Sequence, residues 1–415
     1  MKKLKNIILK EYEVSEDIFN EKYFLEIEKF NKISGTKIFE RVGKSKIKAK
    51  QFVGIIKIND KNITILPKIF WEENSKIIKN LLFMLSYTKK IKIKESDIAN
   101  LDKIDNLFEV FIYIFAKELI ELLKKDFKKN YNNIEENSNF LKWKLNFAKH
   151  IKNNLFNKSK FFIEYEKMDE NILLNIFFKS CTQKLLKISN SRLNYKLLKK
   201  IDFILQDIEF RIFQKSSSLN KLKFNKQNKS YKWVFSLAKL LYFWNSPDFS
   251  NNQFENFSIL FDMNILFEEF LAEFVKKNIF KLNLKSVKTQ VWNKYVFENN
   301  KFNLRPDILL QNNFDEKIII DTKYKKLDKN NYNYWVWNSD IYQMFMYWMR
   351  YFEKCETKKI ILLYPKYFEK IWNYYISEEK IEIFIKTINL NFDLVSDSWK
   401  EELLGEIKEI LKLKN

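Results

Sequence analysis

Residues 304–324 read Leu-Arg-Pro-Asp-Ile-Leu-Leu-Gln-Asn-Asn-Phe-Asp-Glu-Lys-Ile-Ile-Ile-Asp-Thr-Lys-Tyr, and this stretch decides how the chain is read. Two apolar runs, 304–311 and 317–324, flank the polar break Asn312-Asn313-Phe314-Asp315-Glu316, the pattern of an antiparallel hairpin. With the turn centred on Phe314, Asp307 and Asp321 lie at equal distances from it and face each other across the ladder. Directly opposed side chains have Cβ atoms roughly 4.5–5.5 Å apart, so both carboxylates reach one Mg²⁺ at about 2.0–2.1 Å. Lys323 projects from the same face as Asp321 because strand side chains alternate, and there it can orient a water or offset charge on a phosphate. Ile318, Ile319 and Ile320 make the second strand apolar on both faces, which predicts a central, buried strand. A surface hairpin with an ordinary ion pair is the competing reading, but a buried strand ending in Asp-Thr-Lys must use those charges. The layout is that of a metal-dependent nuclease.

A second supply of carboxylate lies upstream, in a predicted helix from Phe261 to Val275. On a wheel of about 100° per residue, Asp262, Glu269, Glu273 and Lys276 form a solvent face. Glu268 instead falls among Phe261, Leu271, Ala272 and Val275, with Asn264 one turn before it on the same flank. Uncompensated burial of a carboxylate is costly, so Glu268 calls for a metal or a cationic partner, or else keeps its head in water at the edge of the stripe. A third element follows the hairpin. Asp340, Gln343 and Tyr347 fall at i, i+3 and i+7 and share one helix face. Asp340 can also cap that helix with Gln343 as its reciprocal partner, and Tyr347 can be core.

The order acidic helix, Pro-Asp strand, Asp-Thr-Lys strand and Gln-x-x-x-Tyr resembles a PD-(D/E)xK nuclease domain, and in detail the chain resembles the McrC family, the nuclease subunit of McrBC-type restriction systems. The matching segments are Phe261-Asp262-Met263-Asn264 with Leu266-Phe267-Glu268, Arg305-Pro306-Asp307, Asp321-Thr322-Lys323-Tyr324-Lys325, Asp340 with Tyr342-Gln343, and Leu363-Tyr364-Pro365. Gly54-Ile55-Ile56-Lys57-Ile58 with Ile65-Leu66-Pro67-Lys68-Ile69 is similar to that family's opening hairpin. The middle is a weaker match: the usual Arg-Gly-Lys-Leu stands here as Leu141-Lys142-Trp143-Lys144-Leu145. The resemblance implies an AAA+ GTPase partner of the McrB type, a hexamer whose nucleotide hydrolysis this chain stimulates, and double-stranded, modified DNA as substrate. The rival class is a non-catalytic adaptor that activates such a partner and only binds DNA.

With residues and resemblance combined, Asp307 and Asp321 are expected to bind Mg²⁺, with Mn²⁺ able to substitute and the Thr322 backbone carbonyl as a further ligand. Glu268 is expected to hold a water of the ion or a second ion, and Lys323 to position the attacking water. Gln343, Tyr347, Asn264 and Asp340 are expected to support the site. Lys325, Lys326 and the aromatic loop containing Tyr332, Trp335 and Trp337 are expected to grip DNA, since cations and stacking rings suit a nucleic-acid strand.

Composition agrees. With 75 Lys and Arg against 53 Asp and Glu, the net charge is +22, a field that draws a polyanion. The abundance of Lys, Asn, Ile and Phe is also what an AT-rich coding sequence dictates. The four glycines supply no phosphate-cradling loop: Gly43-Lys44-Ser45 imitates the end of a Walker A, but its required first glycine would be Ile38. No nucleotide is therefore expected on this chain. His150 as the one histidine, expected to be exposed, and Cys181 and Cys355 as the only cysteines, expected in the core, cannot assemble a zinc cluster or a Ser-His-Asp triad. So few cysteines fit a reducing cytoplasm. The opening Met1-Lys2-Lys3 lacks a signal-peptide pattern, and the most apolar helix, Leu107 to Leu123, carries Glu109, Lys117, Glu118 and Glu121, which excludes a membrane span.

The expected architecture is mixed α/β in three consecutive parts: a β-rich partner-binding module over 1–95, a mainly helical stalk over 96–248, and an α/β/α nuclease domain over 249–415. In the first part, a hairpin joins Phe52–Ile58 to Ile63–Ile69 with Asp60 in its turn, and Ser75 caps a helix through Lys89. In the second, Ile104–Lys129 is the longest element, with polar breaks at Asn130–Asn139 and Ser216–Lys229. The boundary signal is Ser246-Pro247-Asp248-Phe249-Ser250-Asn251-Asn252.

Overall fold

In the computed structural model, residues 5–412 are described apart from 59–60, 70–72, 89, 92, 100, 102–105, 245–257, 292–293, 298, 353–357, 379–380 and 393–397. The expectations for Asp60, Cys355 and the Ser246–Asn252 boundary lie outside the described residues. The chain forms two compact units, one of Met1–Leu107 with Ser258–Asn415 and one of Phe108–Phe257. The sequence reading divides the chain instead into three consecutive parts, of which pairing of distant strands joins the first and the last in one unit.

In the first unit, β1 (Lys5–Lys10), helix α1 (Glu21–Ser34), the hairpin β2 (Phe39–Val42) and β3 (Lys46–Ala49), then β4 (Phe52–Ile58) and β5 (Lys61–Leu66) precede α2 (Asn74–Tyr87) and the short α3 (Glu95–Ala99). Gly43 turns the β2–β3 hairpin at φ 59°, so the Walker-like Gly-Lys-Ser is a hairpin turn. β1 pairs with β5 in parallel and β4 with β5 antiparallel, and the free edge of β4 takes a strand from far along the chain, β9 (Ser258–Asp262). Gly54 makes that approach possible: it sits at φ 135°, and a Cβ there would lie 1.9 Å from the Ile259 carbonyl oxygen. Only glycine fits such a position. Helix α2 begins after Glu73 with no side-chain cap, so Ser75 does not cap it.

The second unit holds α4 (Leu107–Lys125), β6 (Asn130–Ser138), β7 (Lys144–Leu145), α5 (Phe147–Asn154), β8 (Phe161–Asp169), α6 (Leu173–Ile188), α7 (Arg192–Ile204) and α8 (Lys232–Phe243), with its strands in the order β6-β8-β7. α4 starts and ends inside the expected Ile104–Lys129. Residues 130–138, read as a polar break, form a strand along the whole of β8. Cys181 is buried, and His150 is half-buried, accepting the Phe162 N–H through Nδ1 at 3.3 Å, rather than exposed.

The chain then re-enters the first unit. After β9 come α9 (Met263–Lys277), β10 (Leu284–Thr289), the small pair β11 (Lys294–Tyr295) and β12 (Asn303–Leu304), β13 (Ile308–Asn312), β14 (Lys317–Thr322), α10 (Asn338–Tyr351), β15 (Lys358–Pro365), β16 (Trp372–Ile376), β17 (Glu382–Ile388) and α11 (Trp399–Leu411). Six of these strands form a mixed sheet in the order β10-β13-β14-β15-β17-β16. β14 is internal, as its isoleucine run predicts, antiparallel to β13 and parallel to β15. On one face Ile319, Ile360, Leu362, Ile383 and Ile385 pack under Met344, Tyr347 and Tyr351 of α10. Elsewhere Phe83 of α2 meets Phe270 of α9, Phe392 and Trp399 of α11 edge to face, at centroid distances of 5.6, 5.2 and 4.2 Å. At roughly 0.5–1.5 kcal/mol per pair beyond area burial, these contacts bind N-terminal and C-terminal segments into one core. Among the described residues no helix is long and apolar enough to cross a membrane.

Candidate active site

The hairpin of β13 and β14 forms in the expected register: Ile308 lies opposite Ile320, Leu309 opposite Ile319, and Leu310 opposite Ile318. Extended by one residue, that register sets Asp307 opposite Asp321. The turn is organised by Asn312, whose Oδ1 accepts the N–H groups of Phe314 and Glu316 at 2.9 Å each, the self-bonding that suits Asn to turns. Asp321 is 1 % exposed at the end of the central strand. Thr322 donates both its N–H and its hydroxyl to Asp307 Oδ2, each at 2.7 Å.

Lys323 Nζ sits 2.5 Å from Asp321 Oδ2 as an ion pair and donates to Gln343 Oε1 at 3.0 Å. Gln343 Nε2 donates to the Tyr347 hydroxyl at 2.7 Å, which donates to the Arg305 carbonyl at 2.8 Å. A lysine can only donate, so the direction of this chain is fixed from the ammonium to the carbonyl. The same tyrosine oxygen is 3.5 Å from Asp321 Oδ1, too long to compete. Asp340, Gln343 and Tyr347 thus share the face that was expected, but Asp340 is not the cap. The helix starts at Asn338, and the buried Asp340, within its first turn, accepts from Lys325 Nζ at 2.7 Å and from the Tyr364 hydroxyl at 3.4 Å.

Helix α9 starts two residues later than its apolar pattern suggests. Phe261 and Asp262 belong to β9, and Asp262 caps the helix by accepting the Asn264 N–H at 2.8 Å. Asn264 is exposed and bonded to that cap, so it brings no polar group into a dry region, and its expected support of the site is not seen. Glu268 is half-buried and accepts from the Gln290 side chain, while Glu269 pairs outward with Lys90 at 2.9 Å. Gln290 also donates its backbone N–H to the Asp307 carbonyl at 3.0 Å, from a left-handed φ of 49°. A lone glutamine at a strand end has no sequence signal, and the sequence reading misses it.

The electrostatics follow from burial. Asp321 is raised from the usual carboxylate range by burial and then by the charge of Asp307, against the pull of Lys323. Burial also raises Asp307, partly offset by the Thr322 bonds. Glu268 is raised by burial and by Asp307. For Lys323, burial pulls down, but Asp321, Asp307 and Asp340 together lift it above its ordinary value. Three carboxylates with raised proton affinity around one another are short of positive charge. Among the described residues, Asp321 Oδ2 is buried with Lys323 as its ion-pair partner and no other group bonded to it. Two opposed carboxylates, one of them almost fully buried, are a donor set that suits a hard divalent cation. Among the described residues no three His, Cys, Asp or Glu side chains are gathered closely enough to hold an ion by themselves, so Glu268 stands outside the direct set formed by the two aspartates.

The expected DNA contacts divide. Tyr332, Trp335 and Trp337 are exposed. Lys325 is committed to Asp340, with its ammonium 3.9 Å from the Trp337 ring centroid. Lys326 lies 3.7 Å over the Tyr367 ring, and burial with the charges of Lys68 and Lys10 lowers it to about 8.

Comparison with known proteins places this architecture. The fold matches a chain of the refined half-complex from the tetradecameric assembly of Thermococcus gammatolerans McrB AAA+ hexamers with bound McrC, with a TM-score of 0.72 over 98 % of this chain and 100 % of that one, at 22 % identity. A chain of the cryo-EM structure of the Thermococcus gammatolerans McrBC complex is 26 % identical, with a TM-score of 0.50 over 66 % of this chain and 88 % of that one. The fold is therefore that of a chain of these McrB–McrC assemblies. In sequence, the type IV methyl-directed restriction enzyme EcoKMcrBC of Escherichia coli (strain K12) is 23 % identical over 371 residues, 81 % of this chain and 98 % of that protein. The profile of the McrBC 5-methylcytosine restriction system component matches residues 47–365. The chain belongs to the McrBC family and is of the McrC type.

Proposed function

We propose that this chain is the nuclease subunit of a McrBC-like restriction complex, a Mg²⁺-dependent endodeoxyribonuclease with a PD-(D/E)xK site. The observation that carries the reading is the opposed Asp307 and Asp321 at the end of the central strand, with Lys323 ion-paired to Asp321 and held by Gln343. Asp307 and Asp321 hold the ion, with the Thr322 carbonyl as a further ligand. When bound, the ion polarises the scissile phosphate and acidifies water. Lys323 points its remaining proton toward the phosphate and stabilises the charge that builds there during attack. Glu268, fixed by Gln290, orients the attacking water. The exposed Tyr332, Trp335 and Trp337 offer stacking surfaces to DNA.

The partner is a McrB-like AAA+ GTPase hexamer, whose hydrolysis this chain stimulates, and the substrate is double-stranded, modified DNA in the cytoplasm. Support comes from the bound McrC of the Thermococcus gammatolerans assembly and the methyl-directed enzyme of Escherichia coli. The Gly43 hairpin turn, in place of a phosphate loop, supports leaving nucleotide hydrolysis to the partner. The test is cleavage of methylated plasmid DNA by the full chain with its partner and GTP. Cleavage should need Mg²⁺ or Mn²⁺ and stop with EDTA, and metal-independent cleavage would refute the reading.

A further inference from the structure

Beyond Thr322 the ladder of β14 with β15 ends, yet Lys323 must be placed within tenths of an ångström. The backbone there makes one more sheet-like bond, Lys323 N–H to the Leu363 carbonyl at 2.9 Å, and then turns, with Lys325 N–H donating to the Lys323 carbonyl at 2.9 Å. Tyr324 is the centre of that turn and is 2 % exposed. Both of its polar ends are taken by the N-terminal segment. The Tyr324 hydroxyl donates to Glu11 Oε2 at 3.1 Å, and the Tyr324 carbonyl accepts from Lys68 Nζ at 3.3 Å. The Lys68 backbone N–H donates to the same Glu11 oxygen at 3.1 Å, and its ammonium lies 4.8 Å from the Tyr324 ring centroid.

Glu11 directly follows β1 and Lys68 follows β5, the two strands paired in parallel, so one end of the sheet grips residue 324 through both its hydroxyl and its carbonyl. That sheet also contains β9, which runs straight into α9, and Phe267, beside Glu268, packs on the Tyr324 ring at 5.9 Å. A buried carboxylate is a poor source of stability, and among the described residues Glu11 Oε1 has no hydrogen-bond partner, but a directional bond to such a group fixes position.

We propose that Glu11, Lys68 and Tyr324 are positioning residues through which the N-terminal sheet holds Lys323 between Asp321 and Gln343. The inference rests on the nuclease reading above. Two measurements on the full chain test it. In the metal-free protein, hydrogen–deuterium exchange of the segment 321–326 should quicken about tenfold in Tyr324→Phe and in Glu11→Ala, the scale of one lost hydrogen bond, while Glu11→Gln, which keeps an acceptor oxygen, stays near wild type. In the complex with the partner, Tyr324→Phe and Glu11→Ala should lower kcat for DNA cleavage by at least a similar factor with DNA affinity unchanged, and Glu11→Gln should restore most of it. Lys68→Met, which removes the carbonyl contact together with the ammonium's contact with the Tyr324 ring and its attraction for Glu11, should act in the same direction. A Tyr324→Phe chain that exchanges and cleaves like wild type overturns the proposal, as does a loss confined to DNA affinity. Failure of the nuclease reading would show differently, as cleavage that survives Asp321→Asn.

Discussion

Thr322 gives both of its donors, the backbone N–H and the hydroxyl, to one oxygen of Asp307 at 2.7 Å each. The two bonds turn that carboxylate toward Asp321 and lower its proton affinity against the rise that burial imposes. Thr322→Val keeps the shape and removes one of them. Cleavage should fall about tenfold, as one lost hydrogen bond to a charged group would give, and the acid limb of its pH–rate profile should move to higher pH because Asp307 then ionises later. An unchanged profile would separate Thr322 from the ionisation of Asp307.

Glu268 and Glu269 are neighbours with opposite prospects. Glu268 faces Gln290 and feels Asp307, whereas Glu269 pairs with Lys90 near solvent. Glu268→Gln should reduce cleavage by a factor on the order of 10² or more, the scale of a lost catalytic electrostatic group. Glu269→Gln should be nearly silent, since exposed ion pairs contribute about 0–1 kcal/mol. Equal rates for the two variants would contradict this assignment.

The bonds running from Lys323 through Gln343 and Tyr347 to the Arg305 carbonyl make the lysine's position depend on a hydroxyl two side chains away. Tyr347→Phe leaves that carbonyl and the Gln343 amide short of a partner in a buried setting. A stability loss of about 1–3 kcal/mol in chemical denaturation and a fall in kcat larger than any change in DNA affinity are expected. A variant with wild-type kcat would remove Tyr347 from the positioning of Lys323.

Glu11 is raised from 4.5 to about 7, first by burial, against the attraction of Lys68. Its folded pKa exceeds the unfolded one, so between about pH 4.5 and 7 the unfolded chain binds fewer protons and stability falls as pH rises, then levels off above 7. Asp321 shifts in the same direction. In metal-free protein, Glu11→Gln should flatten part of the fall in melting temperature across that window, and Asp321→Asn a further part. A slope that both variants leave untouched would show these carboxyls to be ionised throughout.

Much of this centre is legible in the sequence because it is local. The turn around Phe314 fixes which residues face each other, and three consecutive isoleucines mark β14 as internal. What fails is contact between distant residues. Glu11 and Tyr324 are 313 positions apart, and β9 joins the N-terminal sheet only after the whole of the second unit has passed in the sequence, so no pattern within a window reveals either. Residues 130–138 form a strand despite a run of Asn and Glu because pairing with β8 supplies the backbone bonds that an alternating apolar pattern normally accompanies. Asp340 reads as a cap from spacing alone, and Lys325 reaches it because the helix starts earlier, at Asn338. The β9 pairing also bears on dissection: a fragment ending at residue 248 would leave the β4 edge bare, so function is better separated by point variants than by truncation.

The account stands or falls on Asp321→Asn in the full chain, mixed with its AAA+ partner, GTP, Mg²⁺ and methylated DNA, with strand breaks and phosphate release measured in the same tube. It predicts that breaks disappear while the partner's GTP hydrolysis is stimulated as by wild type, because the aspartate serves the metal site and not the partner. Cleavage at the wild-type rate would contradict it and leave this chain as an activating adaptor with its nuclease elsewhere.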